Sequence, residues 1–264
     1  MGLSKEIYVP VDGIAHKVTK VYAPVNGVAR SVKKVYKGVG GVARQVFDSV
    51  PILDAAFENN SWENIAKACR MGIVPNTWAV GDSMTMDIGG VAYYVNIIGK
   101  NHDNYSDDSG KAPLTFQLAD CLATEYPMHN IARNVGGWSV VDMRTLTLPA
   151  ILAELPLSVR SSIREVKKRT ADEDEIIRTT DDKLFLLSEI EVFGDRKWSV
   201  AGEGTQYAYY KNGNSAVKYL DGFPTYWWER STISVSSFAM VNDRGEASNA
   251  TANYSCGVSF AFCF

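Results

Sequence analysis

Apolar and polar residues alternate through residues 7–48 in a 14-residue unit that occurs three times without a gap. The middle of each unit holds a two-residue pair flanked by alternating apolar residues: Asp12-Gly13, Asn26-Gly27 and Gly40-Gly41. Asp-Gly and Asn-Gly tolerate positive φ at both positions, which is typical of two-residue β-turns. The pattern therefore predicts three hairpins, and in the first of them Val11 lies opposite Ile14.

The predicted pairing gives each hairpin one largely apolar face. In the first unit this face carries Ile7, Val9, Val11, Ile14, His16 and Val18. A small meander of this kind cannot bury its apolar face alone, so it needs a partner. The partner is the C-terminal part of the chain, a sister chain or another protein. An ordinary β-subdomain folded onto the main body fits the same pattern.

A helical joint is predicted over residues 49–77. Asn60 followed by Glu63 has the spacing of a capping box. The helix has an apolar stripe on one face, and this stripe ends before Gly72. It consists of Trp62, Ile65, Ala66 and Cys69. From Trp78 to Ile98 the pattern changes to strand, turn and strand, with glycine turns at 81 and 89–90.

A polar loop follows at 101–110 and carries Asp103, Asp107 and Asp108. Clustered carboxylates suggest calcium, but the EF-hand spacing fails because the required glycine and glutamate positions hold Asp108 and Leu114. We therefore expect a solvated loop and predict no metal site.

The segment from Pro149 to Val166 predicts two short helices broken at Pro156, with apolar side chains that pack onto a sheet. Alternating charges over 167–175 indicate a mobile crossing. Leu184 to Leu187 is a buried strand by composition, and it leads into 189–193 and Gly194.

The C-terminal tract, 229–264, has a different composition. Only five of its residues are charged, while seven are serine and three are asparagine. Serine, asparagine and tyrosine on a rigid apolar frame are typical of binding loops, because they supply adaptable hydrogen bonds at low entropic cost. A polar-faced antiparallel strand pair has the same composition, since serine and threonine are common on solvated sheet faces.

Charge, apolar runs and cysteine spacing exclude several classes of protein. The net charge of −3 argues against nucleic-acid binding, although residues 1–48 carry +5 and the remainder −8. No apolar run approaches the roughly 18 residues of a membrane span, and the first residues do not form a signal peptide. Four cysteines stand far apart, which indicates reduced, buried thiols rather than a zinc site or a disulfide frame. No cofactor is predicted.

Several segments over 78–264 resemble, in this order, a domain of uncharacterised function found in phage and prophage tail proteins of gut anaerobes. The Val-Asn-Gly-Val-Ala-Arg repeat before them also looks like one common in those proteins. The segments are Trp78–Asp82, Ile97–Asp103, Leu114–Leu118, Gly136–Trp138, Met143-Arg144, Lys183–Glu189, Tyr226–Ser231, Gly257-Val258 and Phe260.

The Trp-Trp-x-Arg-Ser element and the closing Gly-Val-x-Phe strand are similar to those of C-type lectin-like folds. That group includes the formylglycine-generating enzyme fold and the variable proteins of diversity-generating retroelements. The usual form has Leu where Glu229 stands and often Pro where Thr232 stands, and we expect both departures at the rim of the binding surface. The sequence elements of calcium-dependent lectins are absent. The resemblance thus implies an α+β fold, a C-type lectin-like domain at 78–264 preceded by the all-β hairpin repeat module at 1–48.

The resemblance implies a non-enzymatic phage tail-tip protein that recognises the host cell surface, a glycan or a protein, through its C-terminal loops. The residues expected to bind are small, polar or aromatic and lie near the terminal strands: Thr232, Ser234, Ser236, Ser237, Asn249, Thr251, Asn253 and Tyr254. Trp227, Trp228 and Arg230 are assigned to a buried frame that holds the base of these loops.

The setting implied is the tail of a virion, with the protein made in the host cytoplasm without a signal peptide. Other tail proteins bind through the repeats, and a homo-oligomer, in particular a trimer, would gain from multivalent attachment. Nucleic acid and membrane insertion are not expected. Two alternatives stay open: a purely structural protein of tail assembly or decoration, and a glycan-cleaving tail enzyme, which would need two suitably spaced carboxylates.

Overall fold

The computed structural model describes the backbone of residues 8–11, 14–17, 21–25, 28–32, 34–39, 42–48 and 50–264. The chain divides into two compact units, Met1–Ile52 and Leu53–Phe264. About 19% of the chain is helix and 34% is strand, mostly in small antiparallel sheets, so the fold class is α+β.

The first unit contains three separate two-stranded antiparallel sheets. Their strands are β1 (Tyr8–Val11), β2 (Ile14–Lys17), β3 (Val21–Val25), β4 (Val28–Val32), β5 (Lys34–Val39) and β6 (Val42–Asp48). The innermost pairs are Val11 with Ile14, Val25 with Val28 and Val39 with Val42. This register confirms the hairpin pairing predicted from the repeat. The turn dipeptides and the apolar face lie outside the described residues.

The second unit holds fourteen strands. They are β7 (Ser83–Ile88), β8 (Val91–Lys100), β9 (Leu114–Leu118), β10 (Tyr126–Pro127), β11 (Val166–Ala171), β12 (Ile177–Asp182), β13 (Leu184–Phe185), β14 (Lys218–Leu220), β15 (Phe223–Thr225), β16 (Trp227–Ser234), β17 (Ser237–Val241), β18 (Ala247–Thr251), β19 (Ser255–Cys256) and β20 (Ala261–Cys263). The main sheet has the order β13-β20-β9-β8-β7, a second sheet has the order β16-β17-β18, and β10-β19, β11-β12 and β14-β15 form pairs.

The helices of the second unit are short. They are α1 (Trp62–Met71), α2 (Leu148–Glu154), α3 (Leu157–Arg160), α4 (Glu189–Phe193) and α5 (Ala208–Lys211), with 3₁₀ turns at Phe57–Asn59 and Gly137–Ser139 and a π-helix at Met143–Thr147. The break between α2 and α3 at Pro156 confirms the two helices predicted from the sequence.

Helix α1 has the predicted apolar stripe and ends at Gly72, which has φ 67°. The predicted capping box is wrong. The N-cap is Ser61, whose hydroxyl accepts a hydrogen bond from the Asn64 backbone N–H. The Asn60 side chain instead donates to the Ala56 carbonyl oxygen at 2.8 Å and so closes the preceding turn. A capping box does occur at α4, where Ser188 and Glu191 exchange hydrogen bonds.

The last strand of the chain lies inside the main sheet, between β13 and β9. Phe262 pairs with Phe116 on β9, and their rings stack with centroids 5.1 Å apart. All five residues of β9 are buried, as expected of a strand covered on both faces. The C-terminal residues are therefore part of the core of the second unit.

The segment 167–175, predicted to be a mobile crossing, is largely an ordered hairpin. Strand β11 pairs with β12 in continuous register from Val166 opposite Asp182 to Ala171 opposite Ile177. Val166, Lys168 and Thr170 are buried, because alternate residues of a strand share one face. Burial therefore follows the strand periodicity over most of β11 and places one lysine in the interior.

The strand–turn–strand prediction for 78–98 is confirmed by the antiparallel pairing of β7 with β8 across Gly89 and Gly90, whose φ values are 59° and 87°. Leu184 to Leu187 is buried throughout, but only its first two residues form a strand. All four cysteines are free and buried, as predicted.

Candidate binding face and the charged network beneath it

Strand β16 carries the Trp-Trp-x-Arg element, and its two tryptophans are fully buried. The indole N–H of Trp227 donates to the Ala216 carbonyl oxygen at 2.9 Å, and that of Trp228 donates to the Tyr126 carbonyl oxygen at 2.8 Å. Each ring therefore fills the core while its one polar atom is satisfied. These contacts confirm the assignment of both tryptophans to the frame.

Arg230 is fully buried, and its guanidinium is surrounded by acceptors. Its Nε donates to the Thr170 hydroxyl at 2.8 Å, and its Nη1 donates to the Leu186 carbonyl oxygen at 2.8 Å. Both terminal nitrogens also bond to the Glu191 carboxylate, a forked arrangement that fixes geometry as well as charge. Arg230 thus joins β16 to β11 and to α4, as expected of a frame residue.

Lys168, on β11, brings a second cation into the same region. Its ammonium lies 2.6 Å from Glu191 Oε1 and 2.8 Å from Asp103 Oδ1, and all three side chains are 3% exposed. Burial would raise the pKa of Asp103, but the ammonium of Lys168 and the neighbouring His102 lower it to about 2. Burial likewise opposes ionisation of Glu191, and the charges of Arg230 and Lys168 hold its pKa below the usual value.

The carboxylates of Asp103, Asp107 and Asp108, which were expected to share one polar loop, therefore lie in different environments. Asp107 pairs with Arg164 at 2.7 Å and Asp108 with Lys167 at 2.5 Å, and both aspartates are largely exposed. The expectation of a solvated loop holds for these two residues. It is wrong for Asp103, which is 5% exposed and belongs to the buried network.

His102, Asp103 and Glu191 offer ligand atoms within 4.8 Å of one another, the single such group in the part of the chain that the structure describes. The Lys168 ammonium contacts the two carboxylates of this group. A divalent ion would have to compete with that fixed positive charge, so the arrangement favours an ion-pair network over a metal centre.

Glu229 and Thr232 are core residues, which corrects their expected position at the rim. Glu229 is 0% exposed and Thr232 is 4% exposed. The two carboxylate oxygens of Glu229 and the Thr232 hydroxyl have no hydrogen-bond partner. Burial, together with the nearby carboxylates of Glu189 and Glu203, raises the pKa of Glu229 well above its usual value. This environment therefore favours the neutral, protonated form of the Glu229 carboxyl group.

The remaining residues predicted to bind lie at or near the surface of the β16-β17-β18 sheet and the loop after it. Ser237 pairs with Ser234 on one side and with Thr251 on the other, while Asn249 lies opposite Ala239. Ser234, Ser236 and Ser237 are half-buried, whereas Asn249, Thr251, Asn253 and Tyr254 are exposed. All eight residues thus lie on this sheet or at its end, and seven of them are at or near its surface, whereas Thr232 is buried.

A third segment, the loop 129–135, joins the same end of the sheet. The His129 backbone N–H donates to the Ala252 carbonyl oxygen at 2.9 Å, and the Asn134 backbone N–H donates to the Val235 carbonyl oxygen at 2.9 Å. The Asn134 amide group donates to the Ser237 carbonyl oxygen at 3.0 Å. We call the segments 129–135, 234–237 and 251–254 together the C-terminal face.

The C-terminal face exposes large apolar side chains among its polar ones. Their exposed fractions are Val235 59%, Tyr254 54%, Ile131 52% and Val135 49%. Sequence reasoning missed the contribution of the loop 129–135, because no local pattern links it to a strand about 100 residues later. The distance in sequence between Asn134 and Ser237 is 103 residues.

A cavity of ≈ 220 Å³ lies beside the π-helix. It is lined by residues that include Arg144, Leu148, Leu152, Asp181, Lys183 and Leu184. Arg144 Nε donates to Asp182 Oδ1 at 2.6 Å, and the Trp138 indole donates to Asp182 Oδ2 at 3.0 Å. The Arg144 charge is therefore paired within the fold.

No helix among the described residues is both long and apolar enough to cross a membrane.

No curated protein and no solved structure was found to match the chain. Residues 115–264 match the family described as Domain of unknown function (DUF6273). This segment includes all but the first residue of β9 and continues to β20, and β8 and β7 extend its main sheet by two further strands. The match covers more than half of the chain, which therefore belongs to the DUF6273 family.

Proposed function

We propose that this protein is a non-enzymatic component of a phage tail tip that recognises the host cell surface through the C-terminal face. The observation that carries the proposal is the convergence of three segments that expose Val235, Tyr254 and Ile131 beside serine and asparagine side chains. Exposed aromatic and aliphatic groups next to adaptable hydrogen-bonding groups are the chemistry of a recognition surface.

The buried residues of β16 support this reading. Arg230, Trp227 and Trp228 are fully buried and hydrogen-bonded, so the strand that carries Ser234 has a fixed position. A preorganised surface loses less conformational entropy on binding than a flexible one. In the same proposal the second unit has a C-type lectin-like fold, for which the buried Trp-Trp-x-Arg strand and the buried terminal strand are the supporting features.

The hairpin repeats fit an attachment role in this proposal. Three consecutive two-stranded sheets give the chain a module through which other tail proteins or sister chains could bind. A trimer is the assembly we propose, because several weak contacts with repeated surface groups add up to firm adhesion.

Adsorption of the purified full-length protein to bacterial cells tests the proposal. We expect labelled protein to adsorb to cells of gut anaerobes, and the bound fraction to fall when the cell-surface glycans or proteins are removed enzymatically. Removal of one class at a time identifies the ligand class. Absence of adsorption to a broad panel of such strains would contradict recognition and favour a purely structural role in tail assembly or decoration.

A further inference from the structure

Lys168 and Asp103 are in direct contact in the interior of the second unit. The Lys168 Nζ lies 2.8 Å from Asp103 Oδ1, and both side chains are 3% exposed. Near-attack arrangements hold reacting atoms roughly 3–3.5 Å apart. An amine nitrogen in hydrogen-bond contact with a carboxyl oxygen is close to that range from the carboxyl carbon.

A third residue, Glu191, is positioned to move protons between them. Its Oε1 lies 2.6 Å from the Lys168 Nζ. Arg230 holds the same carboxylate by two hydrogen bonds, and the backbone N–H of Ser188 donates to it at 3.1 Å. The carboxylate is therefore fixed in orientation and ionised, as a general base must be before it accepts a proton.

Two hydroxyl groups donate to the Asp103 carboxylate. The Thr115 hydroxyl lies 2.6 Å from Oδ2, and the Tyr207 hydroxyl lies 2.9 Å from Oδ1 and 2.8 Å from Oδ2. Burial raises the pKa of Tyr207 well above its usual value, so its hydroxyl keeps its proton. Such donors stabilise negative charge that develops on a carboxyl oxygen during nucleophilic attack at its carbon.

Aromatic rings cover the same contact. The Lys168 Nζ lies 4.2 Å from the centre of the Phe185 ring and 5.5 Å from that of Tyr207. The buried Cys263 thiol lies beside Asp103 on another side. This shell excludes water, which would otherwise favour hydrolysis of an amide over its formation.

We propose that Lys168 and Asp103 form an intramolecular isopeptide bond, assisted by Glu191. The ammonium of Lys168 transfers one proton to the Asp103 carboxylate, and the resulting amine attacks Cγ of the neutral carboxylic acid. Glu191 takes a proton from the attacking nitrogen and gives it to the leaving hydroxyl group, which departs as water. One C–N bond forms and one C–O bond breaks, no electrons are exchanged with another molecule, and Glu191 is a carboxylate again.

The charge balance of the site favours this step. Two cations, Lys168 and Arg230, face two anions, Asp103 and Glu191, so loss of one charge of each sign leaves the Arg230–Glu191 pair intact. A buried ion pair has a large desolvation cost, which a neutral amide largely avoids. The bond would also join two residues 65 positions apart and so restrict the unfolded chain, as a disulfide does.

Intact mass spectrometry of the full-length protein under denaturing conditions tests the bond directly. We expect purified wild-type protein, after incubation at pH 7, to have a mass one water molecule below that of its sequence. Digestion should then yield a branched peptide that contains both Lys168 and Asp103. A wild-type protein of full sequence mass after prolonged incubation overturns the proposal.

Two variants separate this bond from other losses of water, such as succinimide formation at Asp12-Gly13. Lys168→Arg keeps the positive charge without the nucleophilic amine, and we expect it to have its full sequence mass. Lys167→Arg changes the half-buried neighbour that pairs with Asp108; this variant is the matched control and should still lose water. Loss of water that persists in Lys168→Arg would overturn the proposal even if the wild type is lighter.

Discussion

Glu229 and Arg230 are neighbours on β16 and both are 0% exposed, yet only Arg230 has hydrogen-bond partners. The guanidinium is surrounded by a carboxylate and three carbonyl oxygens, whereas both carboxyl oxygens of Glu229 are unpaired. An unsatisfied buried polar group costs about 1–3 kcal/mol. The two side chains therefore have opposite effects on the free energy of unfolding.

Replacement of Glu229 by leucine should stabilise the protein at pH 7 by about 1–3 kcal/mol, because an apolar side chain has no hydrogen bonds to lose. Chemical denaturation of wild type and Glu229→Leu measures the difference. Glu125→Leu, at an exposed position, is the control and should change the free energy of unfolding by less than about 0.5 kcal/mol. Destabilisation by Glu229→Leu would mean that the carboxyl group has a partner in solution.

The same residue predicts a pH dependence. The pKa of Glu229 is higher in the folded state than in the unfolded chain, where it is about 4.5. With respect to this group, the protein is therefore most stable below about pH 4.5, where Glu229 is protonated in both states. As pH rises from there towards the folded pKa, only the unfolded chain ionises, and stability falls by up to about 1.4 kcal/mol per pH unit. The variant Glu229→Gln cannot ionise, so its stability should fall less steeply than that of wild type between pH 5 and 7. Parallel profiles would contradict the raised pKa.

Trp228→Ala should lower the free energy of unfolding by roughly 3–5 kcal/mol, because it removes a fully buried ring and leaves the Tyr126 carbonyl oxygen without its donor. Thermal unfolding measures the loss. Trp198→Ala, at a half-buried loop position, is the matched control and should have the smaller effect. If Trp228→Ala kept its melting temperature and lost cell binding, this residue would belong to the binding site instead of the frame.

Chelators should leave the melting temperature unchanged. Lys168 occupies the position between Asp103 and Glu191, as the cation of the ion pairs or as the nitrogen of the proposed amide, so the group with His102 needs no divalent ion for stability. Differential scanning calorimetry with and without EDTA measures this. A lower melting temperature in EDTA that added calcium or zinc restores would show that an ion binds there.

The sequence predicts best what depends on near neighbours in the chain. The hairpin pairs such as Val11 with Ile14 follow from a turn dipeptide and the residues beside it, and the helix end at Gly72 follows from one glycine. The burial of Lys168 could not be read in this way, because its carboxylate partners stand 65 and 23 residues away. One local signal was available, the Ser188-x-x-Glu191 spacing, which marks a helix start and so places one member of the network.

The burial of Glu229 and the contribution of the loop 129–135 were harder to predict than the burial of Lys168. The position of Glu229 within a tract rich in polar residues suggested exposure, and only the packing of α4 and β16 shows that it is interior. The C-terminal face likewise needs three segments that are distant in sequence, which composition alone cannot bring together. Composition did identify the polar residues of its sheet.

Deletion of residues 1–48 should give a soluble fragment, 49–264, of lower oligomeric state than the full chain. The fragment contains the whole of the second compact unit, and the sequence of the repeat predicts an apolar face that is too large to remain exposed to water. Light scattering coupled to size-exclusion chromatography measures the mass per particle. An unchanged number of chains per particle would show that the repeats do not mediate self-assembly, and a full-length protein that is monomeric at micromolar concentration would count against the trimer.

The most direct test of the proposed function compares cell adsorption by the wild type and a quadruple variant. Ser234, Ser236, Asn253 and Tyr254 are changed to alanine, and Tyr94→Ala on β8 is the control because Tyr94 is also exposed, at 64%. Substitutions at such surface positions usually change stability by less than about 0.5 kcal/mol each, so both variants should fold.

Binding affinity is concentrated in a few residues of an interface, with aromatic side chains prominent among them. The quadruple variant should therefore lose adsorption to host cells, while Tyr94→Ala adsorbs like the wild type. Equal adsorption by all three proteins, with matching melting temperatures, would contradict recognition through the C-terminal face.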